Sequence, residues 1–136
     1  EECTRLCKEL EVETLDIFIN NAGFGVCGSY LETDAAKEEE MVRVNVEAMA
    51  RLFRFAVRKM QAAGGGTILN VASSAGLLPG GPYMAGYYAS KAYVASLTRG
   101  VAEELRQMHS PVYQVHRSRP FLSINRYPHG FFHQHR

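Results

Sequence analysis

The residues predict an α/β fold built on a parallel sheet, and three observations carry that prediction. Two short apolar runs, LDIFIN (15–20) and TILNVAS (67–73), have the length and β-branched content of buried strands. Between and after them lie two long stretches whose apolar residues recur at steps of three and four. These are Val42, Val46, Met49, Phe53, Val57 and Met60 in the first, and Val94, Leu97, Val101, Leu105 and Met108 in the second. Strands separated by helices cannot pair as hairpins, so each helix becomes the crossover between parallel neighbours.

Each element has its own signals. Residues 2–11 form the end of a helix, with Leu6 and Leu10 one turn apart, and LDIFIN follows as the first strand. The strand ends in NNAGFG. The first long helix starts after Thr33 or Asp34, a capping side chain followed by acids at 38–40 that suit the positive helix end. The glycines at 64–66 stop it. TILNVAS is the second strand, a Gly- and Pro-rich loop runs to about residue 86, and the second long helix completes the pattern.

Composition bounds the class. The chain has 136 residues, 46% of them hydrophobic, which fits one domain with material for a core. No apolar run approaches the length of a membrane span, and the first residues EECTRLCKEL are charged rather than leader-like, so the expectation is a cytoplasmic protein without a membrane partner. Cys3, Cys7 and Cys27 show no repeated CxxC, which points to reduced thiols and to neither a disulfide framework nor a zinc site.

The net charge of +1 conceals an asymmetry. Residues 1–107 hold 11 lysines and arginines against 14 acids, whereas 108–136 hold four arginines, no acid and all five histidines. That tail shows no sustained period and is punctuated by Pro111, Pro120 and Pro128. The boundary is set at 113, with 114–136 an atypical, basic, His-rich tail expected to be irregular or disordered, the product of a shifted frame or an artificial end. His129, His133 and His135 lack a carboxylate partner on a defined helix, so no metal site is assigned. Arg117, Arg119, Arg126 and Arg136 have no binding fold around them, so no nucleic-acid partner is assigned.

In parallel α/β sheets ligands sit beyond the carboxyl ends of the strands. The polar residues cluster there: Asn20, Asn21, Ala22 and Gly23 close the first strand, Ser73 and Ser74 the second, and Tyr87 opens the following helix. Tyr87 and Lys91 are four apart, so on a helix their hydroxyl and amine share one face, whereas Tyr88 and Tyr93 do not share it with Lys91. Each signal has an ordinary explanation by itself. An Asn-Gly strand end is usually a turn, Ser-Ser is usually a cap, a Tyr-x-x-x-Lys pair is usually a packed ring beside a solvated amine, and Asn45 within a helix is usually a small loss of propensity.

Taken together, NNAG (20–23), Asn45 in a V-N-V setting, Ser74 at a strand end and Tyr87-x-x-x-Lys91 resemble the short-chain dehydrogenase/reductase family over about residues 12–107. The resemblance implies a partial Rossmann-like, doubly wound parallel sheet whose N-terminal strands are missing, with LDIFIN matching the family's fourth strand. It implies carbonyl reduction or alcohol oxidation with NAD or NADP on a small-molecule substrate. A catalytic set of Asn45, Ser74, Tyr87 and Lys91 and a cofactor surface of Asn20, Asn21, Ala22, Gly23, Tyr87 and Lys91 go with it. The equivalent of Asn45 would bend its helix and hold a water that links Lys91 to solvent. Family members commonly pair through the two long helices, so an intact protein is expected to be a homo-oligomer, and Ala89, Ala92, Ala95 and Ser96 are the small residues expected to let those helices approach. A non-catalytic interaction protein, or an inactive gene fragment that keeps this helix-pairing surface, is the alternative.

The chemistry explains the residue types. Hydride delivery to a carbonyl leaves an alkoxide that needs a proton, and the reverse oxidation needs a base. A free phenol titrates near ~10, and a cation beside it favours the phenolate. Lowering it by roughly three units takes about 4 kcal/mol, which Lys91, a helix N-terminus and a charged nicotinamide can share. Ser74 would donate a hydrogen bond to the same oxygen. It is preferred over Ser73 for its thirteen-residue separation from Tyr87 and because adjacent strand residues face opposite sides. Two departures from the family stand out: no T-G-x-x-x-G-x-G turn occurs in the chain, and VYQVHRSRPFLS replaces the family's next strand and Pro-Gly turn. The chain by itself is therefore expected neither to bind the cofactor tightly nor to turn over substrate.

Overall fold

A computed structural model describes residues 2–117 and 123–125. The chain runs α1 (Glu2–Glu11), β1 (Ile17–Asn20), α2 (Ala35–Val42), a π-helical segment (Arg43–Ala48), α3 (Met49–Ala63), β2 (Gly66–Val71), a 3-10 turn (Ser74–Leu77), α4 (Ala85–Gln107), β3 (Val112–Arg117) and β4 (Ser123–Asn125). Among the described residues the sheet order is β1-β2-β3-β4, with the first three strands parallel and β4 antiparallel to β3. In that register Asn20, Asn70 and His116 form one row across the parallel strands.

The expected long helix is real, but it is not uniform. Asp34 caps it by accepting from the Ala36 N–H at 2.9 Å, and Gly64 ends it in the left-handed conformation. Between α2 and α3 the backbone widens into the π segment, with Asn45 inside it. A π turn moves one side chain out of the 3.6-residue register, so it frequently accompanies a functional position.

One core serves the whole assembly. Phe53, Ala56 and Met60 of α3, Ile68 of β2, Val94, Ala95 and Leu105 of α4, and Val112 of β3 are buried against one another, with Phe18, Val57, Leu97 and Val101 packed at its margin. Each fully buried large side chain contributes roughly 1.5–3 kcal/mol, so α3 and α4 are fixed on the sheet by their stripes. Ala95 is spent in this core rather than left free at the helix surface, as are the stripe residues Met49 and Met60.

One expectation changes. LDIFIN reads as a buried strand, but Ile17 and Ile19 are 67% and 59% exposed, and only the face that carries Phe18 and Asn20 turns inward. β3 carries the parallel ladder to Arg117. Backbone hydrogen bonds hold a parallel strand, and any non-proline residue provides them. Residues 118–122 and 126–136, with His129, His133 and His135, lie outside the described residues. Among the described residues no helix is long and apolar enough to cross a membrane, and all three cysteines are free.

Candidate active site

The site is assembled where β1 and β2 end and α4 begins. Asn20, the last residue of β1, turns its side chain into the fold and donates to the Met49 carbonyl at 3.0 Å, which fixes the strand end to the start of α3. The chain then emerges, and Asn21, Ala22 and Gly23 are exposed. A Cβ on Gly23 would stand 2.9 Å from Asn45 Oδ1 and 3.1 Å from Lys91 Nζ, so the backbone crosses directly over both side chains, and only a glycine permits the approach.

Asn45 is 1% exposed, and both of its amide protons are engaged within the protein. Its Oδ1 accepts from the Phe24 N–H at 3.0 Å, and its Nδ2 donates to the Phe24 carbonyl at 2.8 Å and to Ser90 Oγ at 3.0 Å. It acts as a fastener between the π segment, the loop after β1 and α4.

Lys91 is not a solvated amine. It is 6% exposed, donates to the Val71 carbonyl at 3.2 Å, and lies 5.9 Å from the centre of the Tyr87 ring. Burial pushes its pKa down from the ordinary value, because the ammonium has lost most of its water. Three protons against one protein acceptor leave two ammonium N–H groups available. Tyr87 is half-buried, and its ring edge lies where a Cβ on Gly25 would come within 3.2 Å, so the loop after β1 also packs against the phenol.

The two serines separate. β2 ends at Val71, and both serines lie beyond it, so strand alternation does not choose between them. Ser73 caps the 3-10 turn, its Oγ accepting from the Ala75 N–H at 3.2 Å. Ser74 is exposed and makes no side-chain hydrogen bond within the described residues. Gly76 holds this turn against α4, since a Cβ there would collide with the backbone carbonyl of Lys91.

The fold thus brings together Asn45, Tyr87, Lys91 and the Gly23 loop, with both serines at the neighbouring strand end. Sequence reasoning missed Ser90 and the Val71 carbonyl. A buried hydroxyl one position before Lys91 has no distinguishing pattern, and a backbone carbonyl has none at all. Among the described residues no three His, Cys, Asp or Glu side chains are grouped to hold a metal.

Comparisons with known proteins identify the family and the fold. The family model described as short chain dehydrogenase matches residues 1–116. An uncharacterized oxidoreductase of Thermotoga maritima is 42% identical over 88 residues, 65% of this chain and 35% of that protein. A galactitol 2-dehydrogenase (L-tagatose-forming) of Cereibacter sphaeroides is 38% identical over 106 residues, 76% of this chain and 42% of that protein. Among solved structures, a short-chain dehydrogenase/reductase from Burkholderia phymatum in complex with NAD superposes with a TM-score of 0.74 at 32% identity, covering 84% of this chain and 41% of that one. A gluconate 5-dehydrogenase from Burkholderia cenocepacia in complex with NADP and tartrate gives 0.67 at 29% identity, covering 75% and 40%. The chain spans about 35% to 42% of the length of these two curated relatives. It belongs to the short-chain dehydrogenase family.

Proposed function

We propose that this chain is the catalytic part of an NAD- or NADP-dependent oxidoreductase that interconverts a small carbonyl compound and its alcohol. One observation carries the proposal: a buried, hydrogen-bonded ammonium at Lys91 sits beside the Tyr87 ring, under the close-passing backbone of Gly23. A desolvated cation costs stability, so a scaffold gains nothing from placing one there.

Tyr87 gives a proton to the carbonyl oxygen in reduction and takes it back in oxidation. Lys91 places its positive charge 5.9 Å from the centre of the Tyr87 ring. Ser74, whose hydroxyl is exposed and unengaged, donates to the same oxygen and stabilises the charge that develops on it. Asn45 holds the π segment, the Gly23 loop and α4 in register rather than touching substrate. The two available N–H groups of Lys91 and the backbone of Asn21, Ala22 and Gly23 fit the ribose side of a nicotinamide cofactor, with Asn20 bracing the loop through the Met49 carbonyl. A bound nicotinamide supplies or accepts the hydride. The named relatives with NAD and with NADP support either cofactor.

The groove between α3 and α4, lined by Ala50, Phe53, Val57, Tyr93, Leu97 and Val101, supports pairing of two copies through these helices.

The test joins the segment that precedes the matched region of the Thermotoga relative to this chain and follows NADH or NADPH consumption with small ketones. Turnover is expected. Tyr87→Phe should lower kcat by about 10²–10⁴ with cofactor binding retained, and Tyr88→Phe should change it little. Ser74→Ala should cost more turnover than Ser73→Ala, and the reverse ranking would move the donor role to Ser73. Unchanged turnover in Tyr87→Phe overturns the assignment. The 136-residue chain by itself should leave NADH and NADPH fluorescence unchanged up to about a millimolar cofactor, because it contains no glycine-rich phosphate turn.

A further inference from the structure

Resting on the oxidoreductase reading above, we infer that Ser90 is the positioning residue that sets the first turn of α4, and with it Tyr87 and Lys91, against the Gly23 loop. The direction of every bond in the chain of contacts is fixed. Phe24 offers both an N–H and a carbonyl to Asn45, so the Asn45 amide can face it in only one orientation, with Oδ1 at the N–H and Nδ2 at the carbonyl. The second Nδ2 proton then meets Ser90 Oγ at 3.0 Å, and Ser90 Oγ must accept it. That leaves the single hydroxyl proton of Ser90 free to go to the Tyr87 carbonyl, 2.8 Å away.

The consequence is a relay from the loop after β1, through the π segment, into the backbone of Tyr87. Ser90 is 3% exposed, so water cannot replace either bond without entering the core. A serine that bonds a carbonyl of the preceding turn also biases the local bend of its helix. The turn in question carries Tyr87, and Lys91 begins the next. Ser90 touches neither substrate nor cofactor in this arrangement. It acts through Asn45 on one side and the Tyr87 backbone on the other.

The experiment uses the full 136-residue chain, isotopically labelled, in Ser90→Ala, Ser90→Cys and Ser90→Thr forms. Two quantities are read by NMR: hydrogen exchange at the Phe24 N–H and the Asn45 side-chain amide, and the titration midpoint of the Lys91 amine. In Ser90→Ala the exchange at both groups should quicken about tenfold, and the Lys91 midpoint should rise toward 10.5 as water reaches the loosened turn, while core amides at Ile68 and Val94 stay protected. Ser90→Thr, which keeps the hydroxyl, should restore both readouts. Should Ser90→Ala fail to fold, Ser90→Cys fills the volume with a weak hydrogen-bonding group and should behave as Ser90→Ala was expected to. Exchange within twofold of the unaltered chain overturns the inference, and so does faster exchange with an unmoved Lys91 midpoint. Neither readout depends on turnover, so absence of ketone reduction in the joined protein would overturn the functional proposal and leave this result standing.

Discussion

Two ends of the same sheet make the instructive comparison. At the carboxyl end of β1 and β2 the buried side chains of the site are tied to one another and to backbone, Asn20 to Met49, Asn45 to Phe24 and Ser90, Ser90 to Tyr87, and Lys91 to Val71, while Asn70 Oδ1 has no partner among the described residues. Along the outer face of β1, by contrast, Ile17 and Ile19 stand in water with no described element against them. This end is built from two strand ends, the π segment, a 3-10 turn and a helix start, so the described residues specify it internally. The apolar face of β1 takes nothing from the described residues. The site is therefore the self-sufficient region, and the sheet face is the dependent one.

The largest effect should come from breaking the self-sufficient side at its tightest point. A methyl at Gly76 would meet the Lys91 carbonyl, and because backbone meets backbone no side chain can swing aside. Gly76→Ala should cost about 1–3 kcal/mol and move the turn that carries Ser73 and Ser74 away from α4. Urea denaturation measures the first effect. Gly100→Ala, where a Cβ meets nothing within 4 Å, should be neutral or stabilising and serves as the control.

Much of this was legible in the residues, for physical reasons that differ between elements. The α3 and α4 stripes announce themselves because a helix must bury one face, and Asp34 and the glycines at 64–66 mark the helix ends because they satisfy specific backbone groups. The π segment was not legible, since Val42, Val46 and Met49 read as an ordinary stripe, whereas Met41, Asn45 and Met49 are the buried positions and Val42 is exposed. Nor was the choice between Ser73 and Ser74, which depends on where β2 stops, and a strand stops where its neighbours do. The outer face of β1 misled for a related reason. An apolar run shows that a strand can be covered on both sides, not which elements cover it.

Charge offers a second way to sharpen the comparison. Lys91 is held below its ordinary value near 10.5 by burial, so between its folded midpoint and that value the unfolded chain binds more protons than the folded one. Its contribution to stability therefore rises with pH through that window, and below it the full cost of the buried ammonium is present. Lys91→Met should raise stability at neutral pH by about 1 kcal/mol and remove its share of the alkaline rise, seen as a difference between the two urea-midpoint profiles against pH. A variant that gains stability while losing turnover in the joined protein would separate function from folding at a single side chain. A loss of stability at neutral pH would show that the Val71 hydrogen bond outweighs the desolvation.

The smallest effect on folding should come from the dependent face, and its smallness is the point. Ile17 and Ile19 contribute little to the packed core, so Ile17→Thr with Ile19→Thr, which keeps β-branching, should change equilibrium stability by no more than about 0.5 kcal/mol. Phe18 lies between them and packs against the core, and Phe18→Ala should cost about 3 kcal/mol by leaving a cavity. Self-association should respond in the opposite order. An apolar strand with an unpaired edge pairs readily with other chains, so the double threonine variant should sediment as smaller species than the unaltered chain, whereas Phe18→Ala should not reduce association. Equal losses of stability at residues 17, 18 and 19 would mean that this face is covered in solution, and the contrast between the two regions would then be one of partners rather than of packing.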